Sequence, residues 1–141
     1  LAPRDLEKLA TWVHSTRNFG APIASGSHRH NGMLVVPCSV KTLSAVANSY
    51  SSDLITRAAD VCLKEGMPLL LALRETPLHA GHLQLMEQAA RLGAIIHPPL
   101  PAFYLKPRSI DEMVDQMVQR MLDRIGILTP GMRRWTGFEM S

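Results

Sequence analysis

Polar and charged side chains follow each of three short apolar segments in this 141-residue chain. Ser39, Lys41 and Thr42 come after the first segment, where two hydroxyl groups and an ammonium group can bind an anion at the start of a helix. A helix N-terminus favours such a ligand because it carries roughly half a positive charge. The alternative is that Ser39 only caps the helix, and the spacing of these residues leaves both interpretations open.

Arg74 and Glu75 follow the second apolar segment, and Tyr104 lies on the proline-rich stretch after the third. Arginine can bind a phosphate through two parallel hydrogen bonds, and a neighbouring carboxylate can transfer a proton or orient the arginine. A purely structural ion pair between Arg74 and Glu75 is the alternative. Since all three segments end in polar groups, they predict one site for an anionic ligand at the carboxyl edge of a sheet.

The apolar segments, residues 33–37, 68–73 and 94–97, do not alternate with polar residues, which is typical of strands buried on both faces. Predicted helices lie before, between and after them, at residues 5–14, 41–48, 53–65, 79–92 and 110–125. This alternation predicts an α/β fold with a doubly wound parallel sheet of the flavodoxin or Rossmann-like type. Such sheets have about five or six strands, so we expect this sheet to be incomplete at the N-terminus.

Helix ends are also readable from the sequence. Ser109 and Glu112 form an S-x-x-E capping box before the last helix, and Thr76 is the predicted N-cap of the helix over 79–92, with Pro77 at its first position. We expect one flavoprotein-type domain over residues 1–141, with 127–141 as a C-terminal tail. Neither internal repeats nor low-complexity linkers suggest a second domain.

Composition excludes several function classes. The net charge is +3 without a basic tract, which argues against nucleic-acid binding, and no apolar run approaches the roughly 20 residues of a membrane span. Cys38 and Cys62 lack a C-x-x-C spacing, so we expect buried thiols, a reducing compartment and a cytoplasmic location. The pairs His28/His30 and His79/His82 lack the further ligands that a zinc site needs, so no metal is expected.

Several sequence motifs together resemble one enzyme family, the flavin prenyltransferases of the UbiX/Pad type. The resemblance runs from about residue 20 to Trp135, with its motifs in the order and spacing of the family. They are S-G-S at residues 25–27, G-M-L-V-V-P-C-S-V-K-T, L-I-T-R-A-A-D-V-C-L-K-E, R-E-T-P-L-H-A-G-H-L, P-P-L-P-A-F-Y and D-E-M-V-D-Q-M-V-Q-R-M-L-D. The resemblance implies transfer of a dimethylallyl group from dimethylallyl monophosphate to N5 and C6 of reduced FMN, without a metal. It also implies a trimer-based homo-oligomer, up to a dodecamer, and a UbiD-type decarboxylase that receives the prenylated FMN.

The resemblance also implies roles for individual residues. FMN binding falls to the loop Ser39, Val40, Lys41 and Thr42, with Arg74 facing both flavin and substrate. At the prenyl phosphate, the resemblance implies Tyr104, Arg120, Arg57 and Lys64. It also implies three catalytic residues: Lys64, Glu75 for proton transfer, and Trp135 against the allyl group.

Purely structural roles remain the alternative for three of these residues: surface ion pairs for Arg57 and Lys64, and simple packing for Trp135. On a helical wheel Arg120 lies about 20° from Met113, at the margin of the apolar stripe, where a guanidinium can reach a crevice.

The chain also departs from the family pattern. The first strand with its Gly-Ala-Ser loop, the second strand with its flavin-contacting serine, and the catalytic glutamate that follows have no counterpart in it, and His28 stands where the family commonly has phenylalanine. Two other functions therefore stay open. One is a flavin-dependent decarboxylase acting on cysteine-type substrates within the related flavoproteins, and the other is a non-catalytic flavin-binding module.

Overall fold

The computed structural model describes residues 2–132, which form five α-helices and three β-strands. In chain order these are α1 (Pro3–Glu7), β1 (Met33–Cys38), α2 (Val40–Ala47), α3 (Leu54–Lys64), β2 (Leu69–Leu73), α4 (Ala80–Arg91), β3 (Ile95–Ile96) and α5 (Ile110–Arg124). Two 3-10 turns, Pro22–Ala24 and Phe103–Leu105, lie in the connecting segments. The alternation of strands and helices expected for an α/β fold is confirmed.

The three strands form one parallel sheet in the order β1, β2, β3. All five residues of the central β2 are buried, which explains its uninterrupted apolar sequence. β1 has one extra residue between Val35 and Cys38, where its pairing with β2 shifts. Pro37 lies in this irregularity, where its missing N–H group does not interrupt the ladder. Cys38 then pairs with Leu73, so β1 and β2 end side by side.

Different helices cover the two faces of the sheet. Leu69, Leu71 and Leu73 contribute to the larger core, which includes buried side chains of α2, α3 and α4. Leu70 and Ala72 contribute to a smaller core on the other face, with Met121 and Ile125 from the end of α5. Because side chains alternate across a strand, the continuous apolar sequence of β2 supplies both cores. Within residues 2–132, this is the predicted doubly wound arrangement around three parallel strands.

Capping side chains set the starts of four helices. The hydroxyl of Ser109 accepts a hydrogen bond from the backbone N–H of Glu112 at 3.1 Å, as the sequence predicts. The predicted Thr76 cap is wrong, because α4 begins at Ala80 and the ring of His79 accepts from the N–H of Gly81 at 3.1 Å. Pro77 therefore lies in the loop before the helix. Ser39 and Asp53 cap α2 and α3 in the same way.

The predicted opening helix over residues 5–14 is also wrong, since α1 covers only Pro3–Glu7. Leu6, Leu9, Trp12 and Val13 are all exposed, so this segment buries no apolar face that would stabilise more than about one helical turn. At the other end, residues 127–132 contain neither helix nor strand. Among residues 2–132, no helix combines the length and apolarity needed to cross a membrane.

Candidate active site

The ends of β1 and β2 bring two of the predicted polar groups together. Arg74, directly after β2, donates its backbone N–H to the carbonyl oxygen of Cys38, the last residue of β1, at 3.2 Å. Ser39 follows Cys38, so the start of α2 and Arg74 lie next to each other at the carboxyl edge of the sheet. The expectation of a shared edge is met for β1 and β2, whereas Tyr104, from the segment after β3, lines a cavity to which Ser39 and Arg74 do not contribute.

The start of α2 combines a capping serine with exposed donors. Ser39 Oγ accepts from the backbone N–H of Thr42 at 3.2 Å and lies 3.2 Å from Thr42 Oγ1. Ser39 is therefore a helix cap, as the structural alternative predicts, and this role is compatible with anion binding at the same helix start. Within the described part of the chain, the N–H groups of Val40 and Lys41 have no partner, and the Lys41 side chain is exposed. Two backbone donors and one ammonium group are thus available to an anion.

Arg74 and Glu75 do not form the structural ion pair considered above. Across residues 2–132 the guanidinium of Arg74 makes no hydrogen bond or ion pair, and Glu75 Oε1 instead accepts from the backbone N–H of Thr76 at 3.2 Å. Both side chains are exposed. A cation without a protein partner, next to the free donors of α2, extends the anion-binding character of this edge.

A cavity of about 520 Å³ lies between α5 and the segment that follows β3. Tyr104 and Arg120 both line it, so the structure brings together the two residues expected at the prenyl phosphate. The segment after β3 is fixed to the sheet because His97 donates its backbone N–H to Leu71 at 2.9 Å. The cavity wall is therefore anchored to the central strand on one side and formed by a helix on the other.

The guanidinium of Arg120 is held by Asp123. Its Nη1 donates to Asp123 Oδ2 at 3.1 Å, and the two side chains are 55% and 13% exposed. The mostly buried carboxylate limits the conformations of the arginine, while about half of the arginine stays accessible to solvent or ligand. Arg120 therefore lies at the margin of the apolar stripe, as the helical wheel predicts, and presents a cation to the cavity.

Arg57 and Lys64 lie elsewhere in this chain. Both are on α3, which packs on the face of the sheet opposite to α5, and neither lines the cavity. Arg57 donates to the carbonyl of Ala24 at 3.1 Å and pairs with Asp60 at 3.4 Å. Lys64 pairs with Glu65 at 3.3 Å. One copy of the chain thus does not bring these two cations to Tyr104 and Arg120, and their role at the phosphate stays a prediction.

Trp135, which the family resemblance places against the allyl group, lies outside the described residues.

The sequence also predicts two buried thiols and the absence of a metal site. Cys38 and Cys62 are free and buried, as expected, and burial raises the pKa of each thiol to about 11, which keeps both protonated near neutral pH. Within residues 2–132, His, Cys, Asp and Glu side chains form no group of three or more that could hold a metal.

Sequence reasoning missed two polar residues of the cavity, His97 and Gln116. Both line it, and both carry buried side-chain atoms without a hydrogen-bond partner: His97 Nδ1, Gln116 Nε2 and Gln116 Oε1. A signal was present for each. Gln116 lies four residues before Arg120 and so shares its helical face, and His97 closes the third apolar segment, where strand-end residues face ligands.

Comparison with known proteins places these features in a family. The sequence profile of the Flavoprotein family matches residues 5–122. The chain is 56% identical over 135 residues to the flavin prenyltransferase UbiX of Thauera aromatica, which covers 96% of this chain and 70% of that protein.

Two solved structures are similar throughout the fold. One is AnUbiX (PadA1) in complex with FMN and dimethylallyl pyrophosphate, with a TM-score of 0.94, 48% identity, and coverage of 99% of this chain and 74% of that one. The other is a dodecameric FMN-dependent UbiX-like decarboxylase from Escherichia coli O157:H7, with a TM-score of 0.91, 44% identity, and coverage of 97% and 74%. The strand-edge loop, the cavity and these similarities agree that the chain belongs to the UbiX flavin prenyltransferases of the Flavoprotein family.

Proposed function

We propose that this chain transfers a dimethylallyl group from dimethylallyl monophosphate to reduced FMN. The observation that carries the proposal is the presence of two separate groups of side chains and backbone donors that can bind an anion. One is the strand edge with Ser39, Thr42 and Arg74, and the other is the cavity with Tyr104 and Arg120. A reaction that joins two phosphate-bearing substrates needs two such regions.

FMN is assigned to the strand edge. Its phosphate or the polar edge of its ring would accept from the N–H groups of Val40 and Lys41, with the Lys41 ammonium group and the Thr42 hydroxyl nearby. Arg74, on the adjacent strand end, would contact the flavin from the side of the second substrate. The donor set fits FMN because these groups favour an anion and an electron-rich ring without requiring a metal.

The prenyl phosphate is assigned to the cavity. In the transfer, the bond between the allyl carbon and the phosphate oxygen breaks and its electron pair leaves with phosphate. Flavin N5 supplies the pair for the new C–N bond and loses its proton, which the released phosphate can accept. Negative charge therefore grows on the phosphate in the transition state. Arg120 and the Tyr104 hydroxyl can stabilise that charge, which makes them catalytic groups and not only binding groups.

Ring closure at C6 requires proton transfer, which we assign to Glu75. Adding the C6–H bond across the allyl double bond places one proton on the prenyl chain and releases one from C6, so a single carboxylate can serve both events. Glu75 is exposed at the same edge as Arg74 and accepts one backbone hydrogen bond. We assign Trp135 to the allyl group, where an aromatic face would favour a developing cation.

We infer that the complete site forms between copies of the chain. Arg57 and Lys64 lie across the sheet from the cavity and can reach a prenyl phosphate only from a second copy. Apolar side chains on α5 give such a contact: Ile110, Val114 and Val118 are four residues apart and are 76%, 44% and 45% exposed. A homo-oligomer that buries this stripe is consistent with the dodecameric relative.

Further features of the proposal follow from the family. The product, prenylated FMN, would pass to a UbiD-type decarboxylase. The prenyl donor would be the monophosphate, with its phosphate assigned to Tyr104 and Arg120 in the cavity. A cytoplasmic location is supported by two buried thiols that remain unpaired with each other.

The proposal is tested by incubating the chain with reduced FMN and dimethylallyl monophosphate under anaerobic conditions and measuring the flavin mass. We expect a gain of one prenyl unit that requires both substrates. Loss of CO2 from a peptide with a C-terminal cysteine, without any gain in flavin mass, would instead establish the decarboxylase alternative. Binding of FMN without either reaction would establish the non-catalytic alternative.

A further inference from the structure

Gln116 is a half-buried residue of α5 whose amide group makes no hydrogen bond within the described residues. Its Nε2 and Oε1 atoms are both shielded from solvent and have no hydrogen-bond partner in the structure. Exchanging the amide oxygen and nitrogen would not change this, because neither atom has a partner. Nearly all buried polar groups in proteins are hydrogen-bonded, so an amide with both ends unsatisfied points to a ligand or water that completes it.

The position of Gln116 indicates which ligand that is. It lies on α5, one helical turn before Arg120, and both residues line the 520 Å³ cavity. The unpartnered Nδ1 atom of His97 lines the same cavity from the segment after β3. Three buried polar atoms without partners therefore border one cavity that also contains a tyrosine and an arginine.

We propose that Gln116 binds the phosphate group of the prenyl donor. Rotation about the outer bonds of its side chain would turn Nε2 toward a phosphate oxygen next to the Arg120 guanidinium. Oε1 would then accept from a phosphate hydroxyl or from a water molecule that also reaches His97. The inference rests on the proposed function for the identity of the donor, and it assigns a third phosphate-binding side chain beside Tyr104 and Arg120.

A neutral amide has a distinct effect at this position. It adds a hydrogen bond to the phosphate without adding a charge, so it improves binding and orientation while Arg120 supplies the electrostatic stabilisation of the leaving group. Loss of Gln116 should therefore raise the KM for dimethylallyl monophosphate more than it lowers kcat. Loss of Arg120 should lower kcat strongly.

The test compares Gln116→Met with Gln119→Met in the full chain. Gln119 is a matched control because it lines the same cavity and is half-buried, but its amide atoms are not among the solvent-shielded groups that lack a partner. For Gln116→Met we expect roughly tenfold weaker binding of dimethylallyl monophosphate by calorimetry and unchanged affinity for FMN. Gln119→Met should bind the prenyl phosphate within about twofold of the wild-type chain.

Thermal unfolding gives a second readout, in which Gln116→Met should improve stability while it weakens ligand binding. Replacing an unsatisfied buried amide by an apolar side chain of similar size should raise the melting temperature of the ligand-free chain, by roughly 2–4 °C. If Gln116 served only to stabilise the fold, its replacement would lower the melting temperature instead. Weaker ligand binding together with a more stable chain is therefore the expected signature of Gln116→Met.

A second variant, Gln116→Glu, keeps the shape of the side chain and places a carboxylate beside the phosphate. It should bind dimethylallyl monophosphate and inorganic phosphate even more weakly than Gln116→Met. Wild-type affinity in Gln116→Met, or equal losses in Gln116→Met and Gln119→Met, would overturn the inference. A wild-type chain that binds the prenyl phosphate through Gln116 but never prenylates FMN would instead overturn the proposed function and leave this assignment standing.

Discussion

Replacing Arg120 by alanine tests the assignment of the cavity most directly. The substitution removes the cation that lines the cavity together with Tyr104 and removes the 3.1 Å ion pair with Asp123. The fold should survive, because the Arg120 side chain is 55% exposed and an ion pair of this exposure contributes less than about 1 kcal/mol to stability. Flavin binding should also survive, because Arg120 lies outside the strand edge that we assign to FMN.

The expected loss of activity follows from the exposure of the side chain. A donor to a developing anion in a closed site contributes about 3–4 kcal/mol to transition-state stabilisation. Since about half of this guanidinium remains accessible to solvent, we take the lower value of about 2–3 kcal/mol. That corresponds to a roughly 30- to 160-fold decrease in kcat/KM for dimethylallyl monophosphate.

The assay measures prenylated flavin by mass under limiting dimethylallyl monophosphate, with FMN affinity measured separately. Arg124→Ala is the matched control, because it removes the same charge one turn further along α5 from an exposed residue that does not line the cavity. It should transfer at the wild-type rate. Normal transfer by Arg120→Ala would refute the reasoning, and loss of FMN binding in that variant would show that Arg120 serves the other ligand.

Three other predictions address the strand edge, the thiols and the core. Thr42→Ala and Arg74→Ala should weaken FMN binding by roughly 3-fold and 30-fold, measured by flavin fluorescence, and Thr42→Ala should leave prenyl phosphate affinity unchanged. Between pH 9 and about 11 the unfolded chain releases the protons of Cys38 and Cys62, which the folded chain retains because burial raises their pKa to about 11. The free energy of unfolding should therefore fall as pH rises through that window, by up to about 2–3 kcal/mol per thiol. Urea titrations at each pH measure this free energy, and a value that does not change with pH would show that the thiols are accessible in the folded chain. Leu71→Ala should destabilise the fold by about 2–5 kcal/mol in the same titrations, because Leu71 is fully buried in the larger core.

The strand positions were predictable because β2 is buried on both faces. Leucine at 69, 70, 71 and 73 leaves no polar face, and only a central strand can bury such a sequence fully. The strand edge was predictable for the same reason, since the residues that follow parallel strands must meet. The hydrogen bond between Arg74 and Cys38 is the direct result of that geometry.

Other features depend on tertiary contacts that the sequence does not display. The helical period of residues 5–14 is real, but without a surface to cover Leu9 and Trp12 the helix ends after Glu7. Thr76 and Pro77 formed a plausible helix start, yet His79 caps the helix instead. Gln116 shares the helical face of Arg120, but this spacing alone does not separate it from an ordinary solvated glutamine, and the burial of its amide beside a cavity does.

The uneven coverage of the sheet has a consequence for hydrogen exchange. Met121, which is 4% exposed, is the one buried residue within α5, whereas α2 and α3 bury three and six residues, respectively. The amide protons of α5 should therefore exchange through a partial opening of lower free energy than the unfolding that exposes β2. Since α5 also carries Gln116 and Arg120, any ligand in the cavity would slow exchange along this helix first, and the protection it gains would measure how tightly the cavity is closed.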